Sequence, residues 1–318
     1  MSVPSQENIT LTKEDLRQLH VSSSLYRWFL RYFPHGGTYR AIHNELIKQR
    51  QTQWIESLIQ YIYLRHFSQS SFAKQEQEVI ENILSLLGNE KQTGVTLQRL
   101  PYHQPQSSDE NIQFSTEWHQ LIVKSQQFNT ALALCGRDNI VALSGDENSI
   151  ANTGYSNQLI NSGFAGKISN TADQCRIGSL GGRSRICNSG NDVKIYASGQ
   201  GAHIANSGIR NFINATQSRT KITNTGDLAH ITVTGDNAIA INTGDNCTLS
   251  VSGDNSVCIS TGHLQQFCLG KDGSAVIAYH DGKRTRFNVF YEGEDNIEAG
   301  IHYYLDEKQR PVAMDNIT

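Results

Sequence analysis

From Cys135 onward, apolar and polar residues recur with a nine-residue beat. Glycine marks the frame at Gly136, Gly145, Gly154, Gly163, Gly181 and on through Gly262, all at 136 + 9n, with Ala172 and Gln217 as the two exceptions. Counting each glycine as position zero, the fifth residue is aliphatic in unit after unit: Val141, Ile150, Leu159, Ile168, Ile177, Ile186, Ile195, Ile204, Ile213, Ile222 and Ile231. Positions three and seven are small residues or Asn, and positions four and six are mixed. Side chains alternate along a strand, so positions three, five and seven share one face and turn inward. Each unit then reads as one short strand and one corner, with the glycine expected to supply the positive φ of the corner.

Position seven carries a slower beat. Asn170, Asn188, Asn206, Asn224 and Asn242 alternate with Ser179, Ala197, Ala215, Val233 and Val251, so two units make a coil of 18 residues. Strands stacked in parallel from coil to coil form a flattened β-solenoid, or β-roll. Seven to eight coils are expected, about 35–40 Å long at the usual strand spacing. The asparagines should bond one another up the stack.

The flanks read differently. Upstream, Thr12-Lys-Glu-Asp15 forms a capping box ahead of a helix, and Leu25, Trp28, Phe29 and Tyr32 recur at helical spacing. Amphipathic stretches over 39–67 and 74–87 complete a small helical bundle. Downstream, two alternating runs around Asp281-Gly282 read as a β-hairpin. The domain plan is helical over 1–90, a linker entering the solenoid over 91–127, solenoid over 128–270 and a C-terminal β cap over 271–318. The helical bundle and the hairpin are expected to cover the two ends of the stack, where open strand edges invite aggregation.

This plan resembles a loosely defined group of bacterial and phage-borne proteins of uncharacterised function, with a short helical N-terminus, tandem Gly-containing repeats and a closing segment. The similar residues are Asp281-Gly-Lys-Arg-Thr-Arg-Phe287, Tyr291-Glu-Gly-Glu-Asp295 and Tyr303-Tyr-Leu305. The resemblance implies a solenoid with terminal additions and brings no catalytic residue with it.

Composition narrows the function classes. The 318 residues carry 27 Lys and Arg against 30 Asp and Glu, a net charge of −3, which gives no global attraction to nucleic acid or membrane. No leader and no spanning segment is read, and the expected location is the cytoplasm. The six cysteines show no C-x-x-C spacing and read as packing residues in a reducing compartment. Neither metal nor cofactor is expected, because the corners lack the second and fourth glycines and the Asp of calcium-binding nonapeptides.

On a solenoid the outward positions decide function. Position four places Lys167, Arg176, Arg185, Lys194, His203 and Lys221 in a mid-stack basic belt, split between the two faces. The leading expectation is a non-enzymatic scaffold presenting a binding face to a protein partner. A nucleic acid, or an enzyme acting on one, is the alternative for the same belt, with Tyr196 and Phe212 as its aromatic platforms. A polysaccharide-active enzyme is a further alternative, using corner carboxylates Asp227, Asp236, Asp245 and Asp254. Lys194 is expected to be dispensable for folding. Phe287, Phe290, Tyr291, Tyr303 and Tyr304 are candidates for self-association into a homodimer through the C-terminal cap.

Overall fold

A computed structural model of the chain describes residues 8–69, 71–88, 96–97, 113–116 and 119–314. The repeated apolar beat folds into about nine coils of β-solenoid, each with one strand in either of two sheets. Equivalent residues stack 18 apart: Ile168 pairs with Ile186, and Ile177 with Ile195. The position-five aliphatics fill the space between the sheets and are almost wholly buried. The stack is longer than the glycine frame implied. Gln113–Thr116 and Ile122–Ser125 are already sheet strands, and Val123 and Leu132 turn inward without a framing glycine to signal it. The linker expected over 91–127 otherwise falls largely outside the described residues.

The framing glycines do a different job from the one expected. Positive φ belongs to the second residue after the glycine, as in Asp138 (φ 58) and Asn237 (φ 54). The glycine instead lets adjacent coils close up: a Cβ on Gly163 would lie 1.7 Å from the carbonyl oxygen of Gly145, one coil earlier. Nothing explains how Ala172 and Gln217 are accommodated in the same frame.

Inside one sheet the asparagines form a continuous amide ladder. Nδ2 of Asn152 donates to Oδ1 of Asn170 at 2.6 Å, and the chain continues through Asn188, Asn206 and Asn224 to Asn242, each step between 2.6 and 2.8 Å. Each of these amides also donates to the carbonyl two residues on, such as Gly190 O from Asn188. The buried side chains thereby satisfy one another.

Upstream lie helices α1 (Lys13–Gln18), α2 (Ser23–Tyr32), α3 (Tyr39–Lys48), α4 (Ile55–His66) and α5 (Phe72–Gly88). The Thr12–Asp15 capping box opens α1 as the sequence requires. The single amphipathic stretch read over 39–67 is two helices, broken at Arg50, which takes a left-handed φ of 56.

The helices do not cover an end of the stack. They lie on the outward face of one sheet, and Ile140, Ile160, Tyr196 and Phe212 of that face join Phe29, Ile59, Tyr63, Val79 and Ile80 in a second core. Burying each large apolar side chain contributes roughly 1.5–3 kcal/mol relative to exposure, which a strand edge of backbone groups could not supply. Gly178 makes the approach possible: its missing Cβ would sit 3.1 Å from Ile80. We call this the flank sheet and the other the open sheet. Burial records the difference. Flank strands such as Arg176–Ser179 are buried at every residue, whereas open strands such as Arg185–Asn188 alternate exposed and buried.

At the C-terminal end, Ser274–His280 continues the open sheet and pairs antiparallel with Thr285–Tyr291. His302–Leu305 and Pro311–Ala313 extend the flank sheet.

Candidate functional site

The six basic candidates divide into two groups with opposite roles. Arg176 and Lys194 are neighbours on the flank sheet, and both side chains are wholly buried beneath the helices. Arg176 Nη2 lies 2.7 Å from Oε1 of Glu76 on α5, and its Nε donates to the same oxygen at 2.8 Å. Its Nη1 lies 3.2 Å from Nε2 of His43 and 3.3 Å from Oε1 of Gln158. The Glu76 carboxylate also accepts from the Tyr63 hydroxyl at 2.6 Å and the Tyr39 hydroxyl at 3.1 Å.

Charge follows from this packing. Burial works against the charge on Arg176, yet Glu76 and the two phenols hold it firmly protonated. Burial and the neighbouring guanidinium push the His43 imidazole well below its ordinary value, so it is neutral. Burial, with Glu76 nearby, raises both phenols. Lys194 Nζ sits 2.6 Å from Oε1 of Glu56 on α4. Burial pushes the Glu56 carboxyl up to about 7, against the pull of Lys194.

These contacts withdraw Arg176 and Lys194 from any binding face. Lys194, expected to be dispensable for folding, instead lies fully buried against the largely buried Glu56 carboxyl. The aromatic platforms suggested for nucleic acid are withdrawn as well. Tyr196 is buried and its hydroxyl donates to Gln77 at 3.0 Å. Phe212 is wedged against Tyr63 and Phe67, with His230 stacked on its other side.

Lys167, Arg185, His203 and Lys221 remain, all on the open sheet and in direct register from coil to coil. All four are exposed, and none forms an ion pair among the described residues. Beside them runs a column of short side chains, Ser169, Cys187 and Ala205, also in register. Lys167 and Arg185, standing over Ser169 and Cys187, line one end of a groove of about 690 Å³, which extends upstream over Ala133 and Ala151, away from His203 and Lys221. The long column offers charge and the short column offers room for a ligand backbone.

Three of the four corner carboxylates bond the next coil. Asp227 Oδ1 accepts the backbone N–H of Asp245 at 2.8 Å, and Asp236 that of Asp254 at 3.0 Å. Asp245 serves His263 in the same way. Each of the three ties one corner to the next coil.

The five self-association candidates also divide. Phe290 and Tyr303 belong to the core, packed on Phe267 at 5.6 and 5.8 Å between centroids. Phe287, Tyr291 and Tyr304 are exposed.

The helical contact was the functional feature hardest to read from sequence. One signal was present: outward positions of alternate units carry Ile140, Ile160, Tyr196 and Phe212, whereas those between carry Ala133, Ala151, Ser169 and Ala205. That imbalance marks one sheet as covered.

Comparison with known proteins places the likeness in the helices. Residues 1–67 match the model of the YdhT N-terminal domain family. The uncharacterized protein YdhT of Escherichia coli strain K12 is 40% identical over 73 residues, 23% of this chain. The chain spans 27% of the length of that relative. No solved structure matches. Among the described residues no helix is long and apolar enough to cross a membrane.

Proposed function

We propose that this chain is a non-enzymatic binding module of bacterial or phage-borne origin. The solenoid is its rigid rod of paired nine-residue units, the C-terminal hairpin closes its end, and the open sheet faces the ligand. The observation that carries this reading is the asymmetry of the two sheets. One has its outward charges paired under helices, and the other holds Lys167, Arg185, His203 and Lys221 in an exposed file, the first two lining a groove that runs upstream.

The ligand that fits is a protein surface or extended segment carrying acidic side chains. Strand neighbours stand about 4.8 Å apart, so Lys167, Arg185 and Lys221, with His203 between the last two, present three cations over a span of about 14 Å. Charge of one sign over such a length steers encounter and selects an oppositely charged partner. The six free thiols suit a reducing cytoplasm. The span matched by the YdhT N-terminal domain model contains His43 and Glu56, which meet Arg176 and Lys194 of the flank sheet, Tyr63, whose ring packs on Phe212, and Tyr39, which bonds the Glu76 carboxylate that pairs with Arg176. The helical unit therefore serves as a brace that leaves one sheet free.

A second reading, nucleic acid along the same file, is favoured by the same four side chains and weakened by the burial of Tyr196 and Phe212. Capture from bacterial lysate by the tagged full chain, with and without nuclease, separates the two. A defined protein retained after nuclease treatment, and lost in the triple variant K167E/R185E/K221E, is the expected result. Retention of nucleic acid alone, released by raised salt, transfers the site to the second reading. Equal capture by the triple variant overturns both.

A further inference from the structure

The end of the open sheet carries a strand that is unpaired on one side among the described residues. Thr285–Tyr291 is the outermost strand of that sheet, seven residues long and without proline. The edge of the flank sheet at the same end is blunted: Pro311–Ala313 is three residues long and opens on a residue with no N–H. The Glu292 N–H donates to Gly273 O at 2.9 Å, and this pair continues the register of Phe290 with Ala275. Antiparallel pairs alternate, so the even-numbered residues bond inward, and Phe287 and Val289 direct N–H and C=O to the open edge.

The same residues are apolar and exposed: Phe287 is 56% accessible, Val289 48% and Tyr291 49%. They continue an outward aliphatic column in which Val289 lies beside Val276 and Val276 beside Ile259. A long, free, apolar edge is an adhesive surface unless something pairs with it.

The strand is complementary to itself. Placed antiparallel to a second copy about a two-fold axis through Val289, it sets Phe287 opposite Tyr291 of the second copy and Val289 opposite itself in hydrogen-bonded register; Tyr291 contributes its N–H, its carbonyl already accepting from the Glu294 N–H. The same axis sets Arg286 opposite Glu292, which still follows the strand register before the chain turns at Gly293 (φ 85). This pair is of opposite sign, and a two-fold axis makes it twice. Centring one residue earlier would mate outward-bonding Phe287 with Val289 but leave Arg286 facing Phe290, which is buried in the core.

We propose that a second copy of this chain is the partner of Thr285–Tyr291. Two solenoids then join end to end through one continuous sheet centred on Val289. Acidic ligands engaging both open sheets would meet a binding face of twice the length.

Sedimentation equilibrium of the full chain at micromolar concentration tests this. The unaltered protein should be a dimer. V289K sets two like charges across the axis and should leave a monomer whose melting curve is unchanged, because Val289 is exposed. R286E and E292R should each weaken the dimer about tenfold, since repulsion replaces attraction twice over. The double variant R286E/E292R should restore it. A monomer for the unaltered chain, or a dimer indifferent to V289K, overturns the proposal. A double variant no tighter than the single ones overturns the register and the proposal with it.

Discussion

Arg176 and Glu76, one hundred residues apart in sequence, meet at 2.7 Å with neither side chain reaching solvent. Breaking a buried pair from one side leaves an uncompensated charge and costs about 3–5 kcal/mol. Glu76→Gln should therefore destabilise the protein by that order in urea denaturation. Arg176→Met added to Glu76→Gln should recover much of the loss, because no buried cation is left unpaired, the amide oxygen can still accept from Tyr63, and the Tyr39 hydroxyl can turn to accept from the amide nitrogen. Additive losses in this double-mutant cycle would show that the pair is not the link between helices and solenoid.

The second buried pair makes that link sensitive to pH. The Glu56 carboxyl has an ordinary value of 4.5 and is pushed up to about 7 in the folded chain. Between those values the folded state holds a proton that the unfolded state has released, so stability falls as pH rises through the window and levels off above about 7. Glu56→Gln removes the titration, and its denaturation midpoint should vary less over the same range. A wild-type midpoint that climbs relative to Glu56→Gln between these limits would contradict the burial of this carboxyl.

Much of the architecture was legible in sequence because a solenoid repeats its instructions. Ile168, Ile177, Ile186 and Ile195 announce one inward column, and the asparagines at every second unit announce the ladder. The glycines were legible as a frame but misleading as to cause: a beat of glycines shows that a side chain is excluded, not whether φ or a neighbouring carbonyl excludes it. The contact of α5 with the flank sheet has no periodic signature, because Glu76 and Arg176 belong to segments with unrelated patterns. Only the contrast between Phe212 and Ala205, outward residues of successive units, hinted that one face is covered. Among the site residues, position four identified which side chains point out, but not which of them meet solvent.

The amide ladder should be costly to interrupt in the middle. Asn188 accepts from Asn170 at 2.7 Å, and donates to Asn206 at 2.8 Å and to Gly190 O at 2.9 Å. Asn188→Ala removes one bond from the amide of each neighbouring coil and one from Gly190 O, at about 0.5–1.5 kcal/mol for each bond lost, while Asn170 keeps Ala172 O and Asn206 keeps Asn211. Asn188→Asp should be worse, since a carboxylate cannot donate and would face acceptor oxygens on both Asn206 and Gly190. Cys187→Ala, one residue away on the exposed side of the same strand, should stay within about 0.5 kcal/mol. Thermal melts of the three variants give the ordering, and equal losses would refute the ladder.

Arg176 and Arg185 occupy the same position of successive units, nine residues apart, and the two sheets assign them opposite roles. Arg176→Glu places a second carboxylate beside Glu76 where no water can screen it, so the helices should lose their seat on the flank sheet. The expected readout is a lower melting temperature, with proteolytic cleavage separating the helices from the coils. Arg185→Glu stands in solvent, and its melt should match the wild type within the shift produced by about 0.5 kcal/mol. Its effect should appear only in ligand capture, where a reversed charge in the file of Lys167, His203 and Lys221 repels an acidic partner. If both variants melt alike, the division between a covered and an open sheet is wrong. If Arg185→Glu binds as the wild type does, the fold stands and the ligand lies elsewhere.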